Sequence, residues 1–501
     1  MLRKLFLAIT AFLTLLPAGA QEITRLTTEY MDRPMGIDVK QPVFGWQMQS
    51  DRYGAAQTAY RIVTATSKEN LENGTYTYDS GTVNSPTSVC IKYNGPELAP
   101  CTRYYWQVLV TDERGKVHES PASWFETGLM GGLWGNAMWI ASNKMQLSPY
   151  RFDYAIEYDV ETAKPGPAKF IFGAPQEDCY VFVMLDTRDS AKVMLGNALY
   201  NKETVQHTLN VSNIIPPADA TKKHHIRLEV RGGGNYDVKV SLDGRVISQG
   251  NQTSINCKRD SIGRPQARLF GIGYRQPQGF DAVFSNIKLL NYKWDNLVLN
   301  SDPKTYNAKG DNKAVLWMPS SDINAPIMRK SVNVAKAVKR ARLYATARGA
   351  YWFYINGQRV GDGYLNPGWT DFRHRIMYNT YDVTQMLRQG NNALGIELGH
   401  GWFCDDFGWA GAMWGDQYGY KPSALAMIKV EYTDGTNETF VTDNTWKVYN
   451  GGPLYVNNLY HGVIYDAQRE VDVGFRIAAG DSGDGRLRAD GGSGARVLPC
   501  A

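Results

Sequence analysis

The feature that most constrains the fold is a repeated alternation of apolar and polar residues over short segments. Period-two alternation puts one face of an extended segment in a core and the other in solvent, so it predicts β-strands. Turn dipeptides such as Asn356-Gly357 and Asp434-Gly435 separate these segments. Clear examples are AYRIVTAT, RYYWQVLVTD, CYVFVML and HHIRLEVRG. The sequence therefore predicts an all-β chain of tandem β-sandwich modules.

Changes in composition and residue pattern along the sequence indicate where one domain ends and the next begins. Its 501 residues exceed what one hydrophobic core holds, so several domains are expected. We expect a fibronectin-III-like β-sandwich at 21–128, a lectin- or glucanase-like jelly roll at 134–294, and a third β-domain at 313–465, preceded by a polar linker at 300–312. Residues 474–501 are rich in Gly, Arg and Asp and poor in aromatics, which predicts a disordered or frame-shifted tail.

The N-terminus has the pattern of a cleavable signal peptide. Arg3 and Lys4 precede an apolar run, and the small residues Ala18-Gly19-Ala20 follow it. The apolar run is too short to cross a bilayer, so we expect residues 1–20 to be removed rather than to span a membrane. The mature protein is then expected to be periplasmic or secreted.

Charge and cysteine content narrow the function classes. The net charge of +5 is spread along the chain without a basic run, which argues against nucleic acid as a partner. None of the six cysteines has metal-ligand spacing, so no metal site is predicted. Cys90 and Cys101 lie at a distance in sequence that allows a disulfide between neighbouring strands, and six free thiols remain the alternative.

Three segments carry a resemblance to a known family. Residues 341–403, from ARLYATARGAYWFYINGQRVGDGYLNPGW to NNALGIELGHGWF, resemble the N-terminal β-domain of bacterial α-L-rhamnosidases. The segment LTTEYMDRPMGIDVKQPVFGWQM resembles that family's leading fibronectin-like domain. NNLYHGVIYDAQRE resembles the segment through which the family's β-domain leads to its catalytic part. The jelly roll resembles an insertion that only some members carry.

The resemblance implies a function and also limits it. Members of this family remove terminal α-L-rhamnose with inversion, using two carboxyl groups in an (α/α)6 barrel. In the family the barrel lies after the position that matches Glu470, where this sequence has only its unusual tail. No catalytic residue can be carried over, so we expect a truncated form that is inactive alone and needs no cofactor. The expected partner is a rhamnose-containing glycan, and the alternative is a non-catalytic carbohydrate-binding protein.

Two acidic or aromatic segments are candidate sites in their own right. Glu157, Asp159 and Glu161 alternate along one predicted strand. Jelly-roll glucanases use a similar strand with acids spaced E-x-D-x-x-E, so the last acid here comes one residue early, and a solvated strand face explains the pattern as well.

The loop at 399–420 is the second candidate. Its tryptophans suit the apolar face of a sugar ring, and its acids suit sugar hydroxyls. The candidate carbohydrate-binding residues are Trp402, Asp405, Asp406, Trp409 and Trp414. The alternative is a loop that packs against its own sandwich.

Two weaker signals concern metals. His224 and His225 are adjacent on a strand and point to opposite faces, so they cannot bind one ion together. Asp186, Asp189 and Asp243 suit a structural calcium ion, but nothing in their spacing requires one.

Overall fold

In this computed structural model the chain is built almost entirely from β-strands. Two compact units divide it, the first ending at Gly135 and the second beginning at Asn136. The structure describes residues 22–131, 134–142, 153–176, 178–232, 235–249, 252–256, 269, 271–291, 298–317, 325–405, 407–409, 412–414, 417–419, 421–459, 462–470 and 498–499.

The first module is a two-sheet sandwich. Its elements are β1 (Glu22–Thr28), β2 (Val43–Gln49), β3 (Gln57–Ala65), α1 (Lys68–Glu72), β4 (Tyr78–Asp79), β5 (Val83–Asn84), β6 (Ile91–Lys92), β7 (Arg103–Asp112), β8 (Val117–Glu119) and β9 (Ser123–Glu126). One sheet has the order β1-β2-β6; the other has β4-β3-β7-β8, with β5 on β3 and β9 on β7. Burial alternates at every residue of β7, so the period-two pattern of RYYWQVLVTD fills the core through Trp106, which packs on Phe44 at 4.6 Å.

A jelly roll of two large antiparallel sheets forms the second module. Its strands are β11 (Asp153–Thr162), β12 (Pro167–Gln176), β13 (Cys179–Asp186), β14 (Lys192–Leu199), β15 (Lys202–Asn210), β16 (His224–Gly232), β17 (Asn235–Leu242), β18 (Arg245–Ser248), β19 (Ser254–Asn256), β20 (Gly271–Arg275), β21 (Ala282–Asn291), β22 (Val298–Asp302), β23 (Tyr306–Ala308) and β24 (Lys313–Trp317). The orders are β18-β17-β16-β11-β21-β22 and β15-β14-β13-β12-β20-β24. Tyr158, Phe170 and Phe284 pack between the two sheets.

The third module is again a sandwich. Its elements are β10 (Ile140–Ala141), β25 (Ile327–Val334), β26 (Val338–Arg348), β27 (Ala350–Ile355), β28 (Gln358–Arg359), β29 (Asn379–Asp382), β30 (Gly390–Gly399), α2 (Gly401–Cys404), β31 (Phe407–Trp409), β32 (Ala412–Trp414), β33 (Ser423–Tyr432), β34 (Asn437–Val441), β35 (Lys447–Tyr449), β36 (Leu454–Asn458), β37 (Gly462–Tyr465) and β38 (Leu498–Pro499). One sheet runs β29-β26-β33-β10-β38; the other runs β28-β27-β30-β25-β35.

The module boundaries differ from the sequence-based ones. Ile140 of β10 pairs with Ala424 of β33, so the third module begins before the jelly roll, which is inserted after its first strand. Strands β22 and β23 occupy the predicted linker at 300–312, because Val298, Asn300 and Tyr306 pair with β21. β24 also completes a jelly-roll sheet, so the third module resumes only near residue 325. The linker at 300–312 was predicted from polar composition alone, but the segment contributes edge strands to the jelly roll.

The described residues also bear on membrane-spanning helices and on the state of the cysteines. No helix in the described ranges is long and apolar enough to cross a membrane. Cys90 and Cys101 are free thiols, as are Cys179 and Cys404, so the disulfide alternative is wrong for this pair. The predicted signal peptide lies outside the described residues, and of the predicted tail only Leu498–Pro499 is described, paired with β10.

Candidate functional site

Aromatic residues around α2 form a packed cluster. Trp402 stacks face to face on Trp369, with ring centroids 4.7 Å apart and planes 8° from parallel. Beneath them Phe372 and Phe403 pack edge to face at 5.4 Å, and Tyr418 lies beside both. Trp369 keeps 54% of its surface exposed, so the stack is partly open to solvent.

Asp405 does not serve the role that the sequence suggested. Its side chain is 1% exposed, and its Oδ2 accepts a hydrogen bond of 2.6 Å from the backbone N–H of Leu459. His400 Nδ1 lies 4.0 Å from the other carboxylate oxygen. A sugar hydroxyl cannot reach a carboxylate enclosed in this way. Asp405 instead ties the loop after α2 to the segment between β36 and β37.

The remaining candidates of this loop are not tested. Asp406 lies outside the described residues, and for Trp409 and Trp414 only the backbone, in β31 and β32, is described. Direct sugar contact by these residues stays a prediction.

A concave site lies elsewhere in the third module, on the outer face of its five-stranded sheet. We call it the sheet-face cavity; its volume is about 620 Å³. Strands β25, β27 and β30 form its floor, and the hairpin β36–β37 forms one wall. Its lining residues are Ile327, Ala350, Tyr351, Trp352, Tyr364, Leu365, Glu397, Leu398, Gly399, Pro453, Leu454, Asn457, Val463, Tyr465 and Glu470.

The sheet register builds the floor. Glu397 of β30 is directly opposite Trp352 of β27 on one side and Ile327 of β25 on the other. Side chains at directly opposite positions lie on the same face of a sheet, so this row places an aromatic ring, a carboxyl group and an aliphatic side chain together. Tyr351 and Leu398, one residue away, point into the sandwich core instead.

One rim of the cavity is held by a cation between two rings. The Arg359 guanidinium lies 4.5 Å from the Trp352 ring centre and 4.8 Å from that of Tyr364. Arg359 also donates a hydrogen bond to the backbone carbonyl of Gly363. These contacts hold Trp352 and Tyr364 in place, and the two side chains remain 36% and 74% exposed.

The opposite wall approaches the sheet closely at Gly399. A Cβ atom at that position would lie 2.5 Å from Asn457 Nδ2, so any other residue would require the Asn457 side chain to move. At the end of the same wall the Tyr465 hydroxyl donates a 2.5 Å hydrogen bond to Glu470. The cavity thus presents an amide, a phenol and two carboxyl groups beside its apolar surfaces.

Glu397 has an unusual environment for an acid. Burial raises the pKa of Glu397, and the hydroxyl of Tyr354, 3.4 Å from Oε2, offsets this only in part. Within the described part of the chain, its side-chain partner is the Tyr354 hydroxyl, and no arginine or lysine forms an ion pair with it. A carboxyl group of this kind can accept or donate hydrogen bonds to a neutral ligand.

The acids of strand β11 are engaged by neighbouring strands. Glu157 accepts a 2.6 Å hydrogen bond from Arg227, and Asp159 forms a 2.8 Å hydrogen bond with His225. Burial acts to raise the pKa of Asp159, but hydrogen bonds from His225 and Asn286 hold that pKa below its usual value. A general acid needs a raised pKa, so the arrangement favours the structural explanation of this strand.

Four of the residues considered for metals, His224, His225, Asp186 and Asp243, have protein partners. His224 is buried against Asp243 at 2.8 Å, while His225 faces the other side of β16. Asp186 is fully buried and holds Arg188 at 2.7 Å. Among the described residues no three His, Cys, Asp or Glu side chains gather closely enough to hold a metal ion.

Sequence reasoning missed the sheet-face cavity. Trp352, Tyr364 and Glu397 all lie within the stretch that carried the family resemblance, yet nothing in their spacing brings them together. The available signal was the acid in the otherwise apolar segment ALGIELG, since a carboxylate in a strand of this kind is costly unless the site uses it.

The fold and these sites define a class: a multi-modular β-sandwich protein with an inserted jelly roll and an aromatic- and acid-lined cavity. Two family models match it. The α-L-rhamnosidase N-terminal domain matches residues 336–483, and the Rha78A-like N-terminal immunoglobulin domain matches residues 23–131. The chain is built from the N-terminal modules of the α-L-rhamnosidase family.

Individual relatives agree with this assignment. The chain is 29% identical over 475 residues to an α-L-rhamnosidase of Streptomyces avermitilis. The aligned residues cover 90% of this chain and 43% of that protein. It is 24% identical over 445 residues to an α-L-rhamnosidase of Formosa agariphila, which covers 87% of this chain and 30% of that protein. The chain therefore spans less than half the length of these relatives.

Solved structures show the same fold. The crystal structure of the S. avermitilis α-L-rhamnosidase complexed with L-rhamnose superposes with a TM-score of 0.59 at 27% identity, covering 96% of this chain and 45% of that one. The α-L-rhamnosidase structure from Dictyoglumus thermophilum gives a TM-score of 0.54 at 22% identity, covering 96% and 34%, and supports the fold alone.

Proposed function

We propose that this chain forms the glycan-handling N-terminal part of a secreted α-L-rhamnosidase, which removes terminal α-L-rhamnose from a plant-type polysaccharide or glycoside. The observation that carries the proposal is the α-L-rhamnosidase N-terminal domain at residues 336–483. The relative whose crystal structure is complexed with L-rhamnose supports the choice of sugar.

Hydrolysis itself is assigned to residues outside these modules. An inverting glycosidase needs one protonated acid and one basic carboxylate on opposite sides of the scissile bond. The acid strand considered for this role, with Glu157 and Asp159, has its carboxylates bound to Arg227 and His225. The 501-residue chain alone is therefore expected to be inactive.

The first experiment combines turnover and binding in one preparation of the chain from Gln21 onward. Turnover is measured as release of rhamnose from an aryl α-L-rhamnoside, and binding as retardation in gels that contain a rhamnose-rich polysaccharide. We expect no turnover and clear retardation, with a rhamnose-free β-glucan gel as the control. Absence of retardation in every rhamnose-containing gel would contradict the proposed glycan handling; turnover would contradict the assignment of hydrolysis.

Secretion is tested separately. Expression of the full chain in a bacterium with an export pathway is expected to give a periplasmic or extracellular product that begins at Gln21. N-terminal sequencing of the purified product measures this, and a product that retains residues 1–20 would contradict it.

A carbohydrate-binding protein without catalysis is the second candidate. The sheet-face cavity favours it, since aromatic and carboxyl side chains meet there without the help of another domain. The two candidates are distinguished by the activity of a longer protein that contains these modules. The first candidate requires that such a protein releases rhamnose, and the second requires that it does not.

A further inference from the structure

We propose that the sheet-face cavity is a sugar-binding site that takes one neutral pyranose ring, stacked on Trp352 and hydrogen-bonded to Glu397. It is a binding site formed by residues of the third module itself. It rests on the proposed function only for the choice of rhamnose as the first probe.

The size and shape of the cavity fit a small ligand. Its volume of about 620 Å³ lies within the range of about 300–1,000 Å³ typical of small-molecule sites. It is concave, because the hairpin β36–β37 stands over the outer face of the sheet. Apolar side chains such as Ile327 on the floor and Leu454 on the wall line it, and polar groups are few and placed at particular points.

The aromatic side chains offer the surface that a pyranose requires. The C–H face of a sugar ring is apolar and packs on an aromatic face, which is why tryptophan and tyrosine suit such sites. Trp352, Tyr364 and Tyr465 all keep a third or more of their surface exposed although they line a cavity. Because Arg359 already holds two of these rings, a ligand loses little binding free energy to ordering them.

The polar side chains of the cavity favour a ligand with hydroxyl groups over a charged ligand. Glu397 receives a single long hydrogen bond, 3.4 Å from Tyr354, so its carboxyl oxygens can pair with ligand hydroxyls. Asn457 adds an amide that can donate and accept. Burial raises the pKa of Glu397, which makes it a weak partner for a cation, while Glu470 disfavours an anionic sugar. A neutral pyranose satisfies all of these conditions.

Titration calorimetry with monosaccharides tests the site directly. The probes are L-rhamnose and D-glucose as neutral pyranoses and D-glucuronate as a charged one. We expect a neutral pyranose to bind with millimolar affinity and D-glucuronate to bind more weakly. Trp352→Ala should weaken binding about tenfold, by loss of the stacking surface, and Glu397→Gln should weaken it severalfold.

The matched control is Trp124→Ala in the first module. Trp124 is also stacked under an arginine, with Arg103 3.9 Å from its ring, so the change removes the same kind of contact away from the cavity. Sugar affinity should be unchanged. Circular dichroism and thermal unfolding verify that each variant is folded. If Trp352→Ala fails to fold, Tyr364→Ala at the exposed rim provides the same measurement.

Three results would overturn the proposal: no binding of any neutral pyranose, equal affinity for D-glucuronate, or unchanged affinity in both cavity variants. Its failure can be told apart from failure of the proposed function. If the gels still show binding of the rhamnose-rich polysaccharide while cavity variants bind like wild type, the glycan-handling role survives and the site lies elsewhere.

Discussion

Two acids of the third module show how environment assigns a role to the same chemical group. Asp405 is enclosed and accepts a backbone hydrogen bond, whereas Glu397 lies on the cavity floor with one long hydrogen bond. Glu397 lies within an apolar strand segment and Asp405 directly follows buried residues of α2, so local sequence does not show which of the two acids is enclosed. At the scale of the residue, burial and partners decide which acid stabilises the fold and which remains available to a ligand.

Removing the Asp405 carboxylate should destabilise the protein rather than weaken sugar binding. Asp405→Ala leaves the N–H of Leu459 without its acceptor, which costs about 1–3 kcal/mol of unfolding free energy. Urea unfolding measures this. Asp371→Ala is the control, because its pair with Arg373 is largely exposed and should contribute less to stability. Unchanged stability with lost sugar affinity would restore the original prediction for Asp405.

Asp112 should make the first module sensitive to acid. Its hydrogen bond with His118, together with backbone N–H groups of Lys116 and Arg114, holds the pKa of Asp112 at about 2, below its ordinary 3.8. A carboxylate with a lowered folded pKa stabilises the fold above the unfolded pKa, and this contribution is lost as pH falls through the folded pKa. We therefore expect stability to decline between about pH 4 and about pH 2.

Hydrogen exchange at the amides of β7 and β8 measures this locally. Asp112→Asn should already lower protection at neutral pH and should flatten the decline toward acid pH. Asp51→Asn, at an exposed position of the same module, is the control and should follow the wild-type profile. An unchanged acid profile in Asp112→Asn would show that another group is responsible.

At the scale of the element, strand β11 shows why alternating acids are ambiguous. Glu157 and Asp159 do lie on one face, as the period-two pattern predicts, but strand β16 brings Arg227 and His225 beside them. Arg227 also bonds Glu229, which Lys239 holds from strand β17. The acids therefore belong to a cross-strand network of charges.

This network predicts an asymmetric response to mutation. Arg227→Ala removes the cation shared by Glu157 and Glu229 and should cost about 1–3 kcal/mol of unfolding free energy. Glu157→Gln keeps a hydrogen-bond acceptor and should cost less. Denaturant unfolding of both variants, with Arg245→Ala as an exposed control, measures the difference. A larger loss for Glu157→Gln, or hydrolysis of a β-glucan that this change abolishes, would contradict the network.

At the scale of the whole molecule, the jelly roll is an insertion with neighbouring ends. Before it, Ser142 donates a 2.6 Å hydrogen bond to Asn450; after it, Ile327 pairs with Tyr449. The chain thus leaves and rejoins the third module at adjacent positions along one segment. The jelly roll also has its own core, with Tyr158, Phe170 and Phe284 between its sheets.

Excision of the insertion should therefore be tolerated. Replacing residues 146–321 by a short Gly/Ser linker should leave a third module that unfolds cooperatively, because neither end has to move far. Size-exclusion chromatography and thermal unfolding measure this, and sugar titration should show the same affinity at the sheet-face cavity. An aggregated product, or lost affinity with an intact fold, would show that the jelly roll completes the third module.

The sequence by itself determined the all-β class, the turns at its Gly-containing dipeptides and the family. These follow from local periodicity and from long continuous segments such as residues 341–403, whose pattern needs no knowledge of distant partners. The core position of Trp106 and the opposite faces of His224 and His225 were predictable for the same reason.

Only the tertiary structure decided which modules interrupt one another and which acids are available. Strand pairing between Ile140 and Ala424, and the row formed by Ile327, Glu397 and Trp352, join residues far apart in sequence. The order of strands in a sheet is not encoded in the pattern of any one strand. The enclosure of Asp405 and the assembly of the sheet-face cavity therefore depend on long-range packing, which local sequence does not specify.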